Sequence, residues 1–223
     1  MKKIFSLIIF SVIVSAFAMS QDGIEFNNED WNSILAQATK ENKLVFVDAY
    51  TVWCGPCKKM ARDVFPQKEV GEFYNKKFIN VQMDMEKGEG LSFAQKYNVN
   101  VYPTLLFVAG DGSLVHRSAG YKDSPEFIEL GNAALDPAKR ISSLNKRYEN
   151  GDRDPDFLKS YATVLYQAYD GSHVPVVDAY LETQSDWNTD ENMNIIFQYV
   201  NDPNSKLFDH MVENKSLYVE KFG

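Results

Sequence analysis

The strongest constraint on the fold is a continuously apolar run, LVFVDAY at residues 44–50, followed closely by the chain's two cysteines. A strand that is apolar throughout, without alternation, is typical of a central strand in a sheet covered by helices on both faces. Cys54 and Cys57 in the first turn of a following helix have β-carbons about 5 to 6 Å apart, close enough for a disulfide with little backbone movement. The sequence therefore predicts an α/β domain in which a reversible cysteine pair follows a buried strand.

The positions of the two cysteines predict different roles. Cys54, at the helix N-terminus, faces unpaired amides and the positive end of the helix dipole, which stabilise a thiolate, so we predict that it is the nucleophile. Cys57, one turn further along, is shielded by the backbone and is predicted to be the resolving thiol. Gly55 keeps the approach open for another chain, and Pro56 fixes φ inside the turn. A disulfide that closes so small a loop removes little chain entropy, so stability alone is a weak reason for it.

Other uses of a CxxC pair fit the sequence less well. A structural zinc site needs four ligands, and His116, His173 and His210 lie far from the cysteines and from each other. Haem attachment needs a histidine directly after the second cysteine, where this chain has Lys58. We therefore favour redox chemistry and expect neither a metal nor another cofactor.

The first residues, MKKIFSLIIFSVIVSAFAMSQ, have the pattern of a secretory signal: two lysines, an apolar run over 4–18, then small residues. We predict a signal peptide over 1–20, cleaved near Ser20 or Gln21. The alternative is a membrane anchor, but this run is short against the roughly 20 residues that span a bilayer. No cysteine is available there for lipid attachment. We expect an exported protein without stable membrane insertion, located in the periplasm of a bacterium with two membranes.

Charge argues against nucleic acid as a partner. The net charge is −8, and loss of Lys2 and Lys3 with the signal would make it about −10, which repels phosphate backbones. Hydrophobic residues make up 44% of the chain, enough for a well-packed core in one or two domains.

Periodicity and capping residues predict the order helix, strand, helix, helix, strand, helix, strand, strand, helix up to Leu135, with an antiparallel hairpin at the GDG turn over 110–112. Asn28 is the predicted N-cap of the first helix and Ser124 that of the last. The predicted helices cover 31–40, 54–65, 68–77, 90–97 and 124–135, and the predicted strands lie within 44–50, 78–84, 101–110 and 113–121.

After Asp136 the strand signals give way to helical ones. Helix starts are predicted at Asp136-Pro137, Asp154-Pro155, His173, Thr189 and Asp202-Pro203. Paired helices would then repeat at about 36 residues, near the period of tetratricopeptide arrays. The consensus residues of such arrays are not evident, so we favour two irregular helical hairpins. The predicted domains are 21–136 and an all-α region over 137–223.

The motif WCGPC after an apolar strand, an aspartate six positions before the first cysteine, and a Tyr-Pro-Thr before a later strand resemble thioredoxin. They resemble the exported thioredoxin-like thiol:disulfide interchange proteins more closely. The resemblance covers about residues 27–136 and implies a thioredoxin fold, a central mixed β-sheet flanked by helices. It does not cover the helical region that follows.

The resemblance implies that Asp48 is a buried carboxylate beneath the cysteines, which accepts and returns the proton of Cys57. Burial would raise the pKa of Asp48 and suit it to this task. The alternative is an aspartate that faces water, but its apolar flanks favour burial. One departure from thioredoxin is that Gln82 stands where a lysine is expected near this aspartate.

The resemblance also implies a cis peptide bond before Pro103, which would turn the backbone of Tyr102 toward the cysteines. The N–H and C=O of Tyr102 could then pair with an extended substrate peptide. Trp53 would form part of an apolar lip around Cys54, with simple core filling as the alternative.

Together these features predict an exported thiol–disulfide oxidoreductase that reduces protein disulfides by mixed-disulfide exchange. A Gly-Pro dipeptide between the cysteines, the lack of a histidine there and a nearby Asp48 all favour a reductant, which would need an electron donor in the inner membrane. Lys58 and Lys59 act in the opposite direction, but weakly. The alternative is a redox-gated adaptor whose helical tail captures a protein partner.

Overall fold

The computed structural model describes residues 22–169 and 171–223. The predicted signal peptide, 1–20, and its cleavage point near Ser20 or Gln21 lie outside the described residues. Within the described ranges, no helix has both the length and the apolar character needed to cross a membrane.

The sheet formed by the described residues has four strands in the order β2-β1-β3-β4. Strand β1 runs parallel to β2 and antiparallel to β3, and β3 is antiparallel to β4, so the predicted mixed sheet with a final hairpin is confirmed. The strands are β1 Leu44–Tyr50, β2 Phe78–Asp84, β3 Thr104–Val108 and β4 Leu114–Ala119.

Five helices occur among these strands in the predicted order, and their bounds differ from the predicted ones by at most two residues. The C-terminal end of the second helix comes at Asp63, before Pro66, because Val64 already leaves the regular helix. The helices are α1 Trp31–Glu41, α2 Gly55–Asp63, α3 Lys68–Lys77, α4 Glu89–Lys96 and α5 Ser124–Leu135.

Two of the predicted N-caps are wrong by one or two residues. The cap of α1 is Asp30, not Asn28, because the Asp30 carboxylate accepts the N–H of Ser33 at 3.1 Å. The cap of α5 is Asp123, not Ser124: its carboxylate accepts the N–H of Glu126, whose side chain accepts the N–H of Asp123 in return. This reciprocal capping box satisfies two amide groups that would otherwise lack partners.

The sheet separates two hydrophobic clusters. Successive side chains of a strand point to opposite faces, so Val45, Val47 and Ala49 of β1 pack with α1 and α4 on one face. Phe46 packs on the other face with residues of α2, α3 and α5. Asp48, two positions after Phe46, therefore lies on the face that α2 covers.

The C-terminal region is helical, as predicted, with helix starts confirmed after Asp154, His173 and Thr189. Its core is separate from the two clusters at the sheet. The helices are α6 Ile141–Glu149, α7 Pro155–Ala168, α8 Val174–Glu182, α9 Asp190–Tyr199, α10 Lys206–Glu213 and α11 Lys215–Phe222.

The helix starts predicted at Asp136-Pro137 and Asp202-Pro203 are wrong. At both places the aspartate carboxylate accepts the N–H two residues later, from Ala138 at 2.8 Å and Asn204 at 2.9 Å, and this local bond closes a turn. Helix α6 begins only at Ile141, and α10 is capped by Ser205.

The helical region packs on the edge strand β4 through α6 and α7. The backbone N–H of Ile141 donates to Nδ1 of His116 at 3.3 Å, and the Ser118 hydroxyl donates to the carbonyl of Gln167 at 3.4 Å. Because His116 and Ser118 are two positions apart, both contacts are made from the same face of β4. The division at residue 136 stays a prediction.

Candidate redox site

The cysteine pair lies where β1 gives way to α2. Cys54 is the N-cap residue of α2, and its Sγ accepts the backbone N–H of Cys57 at 3.1 Å. The two cysteines form a disulfide, with their Cα atoms 5.3 Å apart, as their spacing predicts. Pro56 lies in the first turn, where its missing N–H costs no helical hydrogen bond.

Burial does not distinguish the two cysteines in this disulfide form. Cys54 is 3% exposed and Cys57 is 4% exposed, so the shielding of Cys57 is confirmed while Cys54 is no more accessible than its partner. Access is provided by the residue between them, since a β-carbon at Gly55 would meet no atom within 4 Å. The asymmetry of the pair therefore lies in the N-cap position of Cys54 and not in its exposure.

Asp48 is buried on the face of β1 that α2 covers, with 1% of its surface exposed, so the alternative that it faces water is wrong. Burial raises its pKa to about 6, against the opposing effect of a hydrogen bond from Gln82. That bond joins Gln82 Nε2 to Asp48 Oδ2 at 3.0 Å, across the β1–β2 register. The other oxygen, Oδ1, has no hydrogen-bond partner among the described residues.

Gln82 therefore lies next to Asp48, at the position where the resemblance to thioredoxin leads us to expect a lysine. A neutral amide contributes a hydrogen bond but no charge, so it favours the carboxylate less than an ammonium group would. The pKa of Asp48, about 6, lies close to neutral pH, and a group with such a pKa can both accept and return a proton.

Trp53 is 63% exposed, so the alternative of core filling is wrong. Its indole N–H donates to Glu86 Oε1 at 2.8 Å, and its ring meets the ring of Tyr102 edge-on at a centroid distance of 5.8 Å. These contacts hold the indole beside the cysteine that follows it. Glu86 is a residue that the sequence did not single out, because its only local signal is an acidic side chain in the turn after β2.

The peptide bond between Tyr102 and Pro103 is cis, as the resemblance implies. The carbonyl of Pro103 accepts the N–H of Gly120, which joins this loop to the end of β4. Within the described residues, neither the N–H nor the C=O of Tyr102 is hydrogen-bonded to another group. The backbone of Tyr102 therefore has one donor and one acceptor without a partner among the described residues.

Among the described residues, no group of three or more histidine, cysteine or acidic side chains is placed to hold a metal ion. The three histidines are dispersed: His116 lies on β4, His173 before α8 and His210 within α10. The chemistry available at this site is that of a cysteine pair, a buried carboxyl and an aromatic surface.

Comparison with known proteins identifies the family. Residues 31–135 match the model of a thioredoxin-like domain. A thioredoxin from Mycoplasma genitalium is 31% identical over 98 residues, which cover 44% of this chain and 89% of that protein. The chain belongs to the thioredoxin family. A thioredoxin H-type from Oryza sativa subsp. indica is likewise 33% identical over 95 residues, covering 42% of this chain and 71% of the relative.

Among solved structures, a candidate disulphide-isomerase from Bacteroides thetaiotaomicron is 42% identical to this chain and superposes with a TM-score of 0.48. The match covers 52% of this chain and 97% of that structure's chain. The chain spans 52% to 66% of the length of the first curated thioredoxins that it matches. The family model ends at residue 135, so helices α6 to α11 lie outside the thioredoxin-like match.

Proposed function

We propose that this thioredoxin-family protein is an exported thiol–disulfide oxidoreductase that reduces disulfides in other proteins. The observation that carries the proposal is the Cys54–Cys57 disulfide at the N-terminus of α2, on the sheet face where Asp48 is buried. This disulfide is the oxidised product of the reaction, and the dithiol is the form that starts it.

The reaction consists of two exchanges. The Cys54 thiolate attacks one sulfur of a substrate disulfide, the substrate S–S bond breaks, and a mixed disulfide forms while the first substrate sulfur leaves as a thiolate. The Cys57 sulfur then attacks Cys54 Sγ, which releases the second substrate sulfur and closes the Cys54–Cys57 bond. Two electrons pass from the dithiol to the substrate.

Asp48 supplies the proton transfer that the second exchange requires. Cys57 must lose its proton to attack, and a buried carboxylate accepts that proton without exposing the mixed disulfide to bulk water. The pKa of about 6 allows Asp48 to be charged before the transfer and to release the proton afterwards near neutral pH. The unpaired Oδ1 is the oxygen that we assign to this proton.

Substrate is held by backbone and by an aromatic surface. We assign the N–H and C=O of Tyr102 to an extended segment of the substrate, which is read through its main chain as an added strand. Trp53, Gly55, Pro56 and Pro103 complete the surface, and the open space over Gly55 lets the substrate sulfur approach. Main-chain recognition of this kind favours many protein substrates over one.

We assign the protein to the periplasm, because residues 1–20 have the pattern of a cleaved signal peptide. A reductase in that oxidising compartment needs its electrons renewed, and we assign this to a membrane electron donor.

Trapping of mixed disulfides tests the division of labour. Cys57→Ala is expected to accumulate covalent complexes with periplasmic proteins, because Cys54 still attacks and nothing resolves the product. Cys54→Ala, the matched control, is expected to trap almost none. Complexes are counted on non-reducing gels before and after dithiothreitol.

Equal trapping by the two variants would contradict the assigned roles. The adaptor alternative makes a different prediction: non-covalent partner binding that changes with the redox state of the Cys54–Cys57 pair, in a full-length protein that does not turn over disulfides. Coupled reduction of a disulfide-containing protein such as insulin, compared between the wild type and Cys54→Ala, separates the two functions.

A further inference from the structure

A cleft of about 610 Å³ lies between α5, α6 and α7, next to β4. Its volume is within the range of roughly 300 to 1,000 Å³ that is usual for small-molecule sites, and such sites often lie where two domains meet. Its walls are mainly apolar, with Leu130 and Ala133 from α5, Leu144 from α6 and Val164 from α7. None of the redox-site residues lines it.

His116 of β4 supplies a polar group to this cleft. The residue is only 4% exposed, and its Nδ1 accepts the N–H of Ile141 at 3.3 Å, so Nδ1 carries no proton. Burial lowers the pKa of His116 to about 4, which keeps the ring neutral at pH 7 and places its one proton on Nε2. No group in the described part of the chain is hydrogen-bonded to Nε2.

Nε2 of His116 is therefore a hydrogen-bond donor that has no acceptor among the described residues. A hydrogen bond from this N–H would therefore add to the affinity of an acceptor that enters the cleft. The tautomer excludes a ligand that offers only donors at this point.

Two lysines and two glutamates line the cleft, so its formal charge is zero and the partners of each charged group matter. Lys139 forms an ion pair with Glu129 at 3.0 Å, and the Glu126 carboxylate is engaged in the capping box of α5. Lys122 forms no ion pair within the described residues, and its Nζ reaches only the carbonyl of Ala119 at 3.5 Å. Its ammonium group is the charge that remains available to a ligand.

We propose that this cleft binds an amphipathic carboxylate. The apolar chain lies against Leu130, Leu144 and Val164, a carboxylate oxygen accepts the Nε2–H of His116, and the carboxylate faces the ammonium group of Lys122. The proposed site does not depend on the thiol chemistry, because no redox-site residue lines it. It is formed jointly by the thioredoxin-like domain and the helical tail.

Calorimetry with octanoate tests the site, with residues 21–223 as the protein and 1-octanol as the uncharged probe. Octanoate is expected to bind at one site, at least tenfold more tightly than octanol, and Lys122→Gln is expected to weaken it several-fold. Ala133→Phe, at a half-buried position of the cleft wall, is expected to abolish binding. Ala36→Phe, on the exposed face of α1, is the matched control and is expected to leave binding unchanged.

A second readout reports on the ring itself. In ¹⁵N-labelled protein, octanoate is expected to shift the His116 Nε2 resonance while leaving those of His173 and His210 in place. The proposal is overturned if octanoate does not bind at millimolar concentration, if Ala133→Phe binds it as the wild type does while circular dichroism shows a native fold, or if octanol binds equally well.

Discussion

Asp48 is the buried carboxyl to which we assign proton transfer at the redox site. Its two oxygens have different environments: Oδ2 accepts the amide of Gln82, and Oδ1 has no partner among the described residues. Burial alone would raise the pKa of Asp48 further, and the Gln82 hydrogen bond limits the rise. The pKa of Asp48 is therefore set by burial, which raises it, and by one contact between neighbouring strands, which lowers it.

Replacing Asp48 is expected to stabilise the oxidised protein in a pH-dependent way. The folded pKa, about 6, lies above the ordinary value of 3.8, so the folded state loses stability as the pH rises between these values. The full cost, about 3 kcal/mol, applies above pH 6. Asp48→Asn should raise the free energy of unfolding in urea by about 2 to 3 kcal/mol at pH 8 and by little at pH 3.5. An equal change at both pH values would contradict the assigned burial cost.

Gln82→Leu removes the donor to Asp48 Oδ2 and is expected to raise the pKa of Asp48, because that hydrogen bond favours the charged form. The midpoint of the pH profile for reduction of a disulfide substrate should move upward by about half a unit to one unit. Gln95→Leu, at an exposed position of α4, is the matched control. A profile that does not move in Gln82→Leu would remove Gln82 from proton handling.

At the residue scale, the sequence predicts the side chains whose roles are local. Cys54 and Cys57 follow from spacing, and the burial of Asp48 follows from its apolar flanks. Glu86 could not be predicted, because its contact with Trp53 joins residues 33 positions apart and depends on how the turn after β2 approaches the start of α2.

At the element scale, Asp-Pro pairs show why some helix starts are predictable and others are not. The Asp154 carboxylate accepts the N–H three residues later, from Phe157, and caps α7. The Asp136 carboxylate accepts the N–H two residues later, from Ala138, and closes a turn. Both segments begin with Asp-Pro. Whether the aspartate caps a helix or closes a turn depends on where tertiary packing places the next helix.

The contacts of β4 with the tail lead to a prediction for a chain ending at Asp136. It should unfold in one cooperative transition and keep thiol–disulfide exchange, because both clusters flanking the sheet lie almost entirely before that residue. It should be less stable than the full chain by at least about 1 kcal/mol, because His116 loses the hydrogen bond from Ile141 and the surface of β4 that α6 and α7 contact becomes exposed.

Urea denaturation followed by circular dichroism, together with insulin reduction, measures both properties. Loss of the cooperative transition would show that the tail completes the core, and the division at residue 136 would then be wrong.

At the scale of the whole molecule, chemistry and attachment occupy different parts of the sheet. The cysteines follow the central strand β1, while α6 and α7 cover the edge strand β4. The order of elements up to Leu135 is predictable because alternating apolar strands and amphipathic helices have strong local signals. The placement of the tail on β4 is not, because it depends on contacts between distant residues such as His116 and Ile141.

The direction of electron flow depends on how strongly the reduced form is stabilised. For comparison, the reduction potential of thioredoxin is about −270 mV, and that of the strong periplasmic oxidant is about −120 mV. Gly55-Pro56 offers no side chain that could stabilise the Cys54 thiolate, and an ionised Asp48 on the same sheet face opposes it. Lys58 and Lys59 are exposed charges worth tenths of a kcal/mol. The balance predicts a reductant.

The reduction potential of the Cys54–Cys57 pair tests the reductase proposal most directly. Residues 21–223 are equilibrated with glutathione and dithiothreitol buffers, and the redox state is followed by tryptophan fluorescence, since Trp53 adjoins the pair; Cys54→Ser controls for effects unrelated to the disulfide. We predict a midpoint below about −220 mV, whereas a midpoint above about −150 mV would mean that the protein is built to oxidise its substrates and would contradict the proposal.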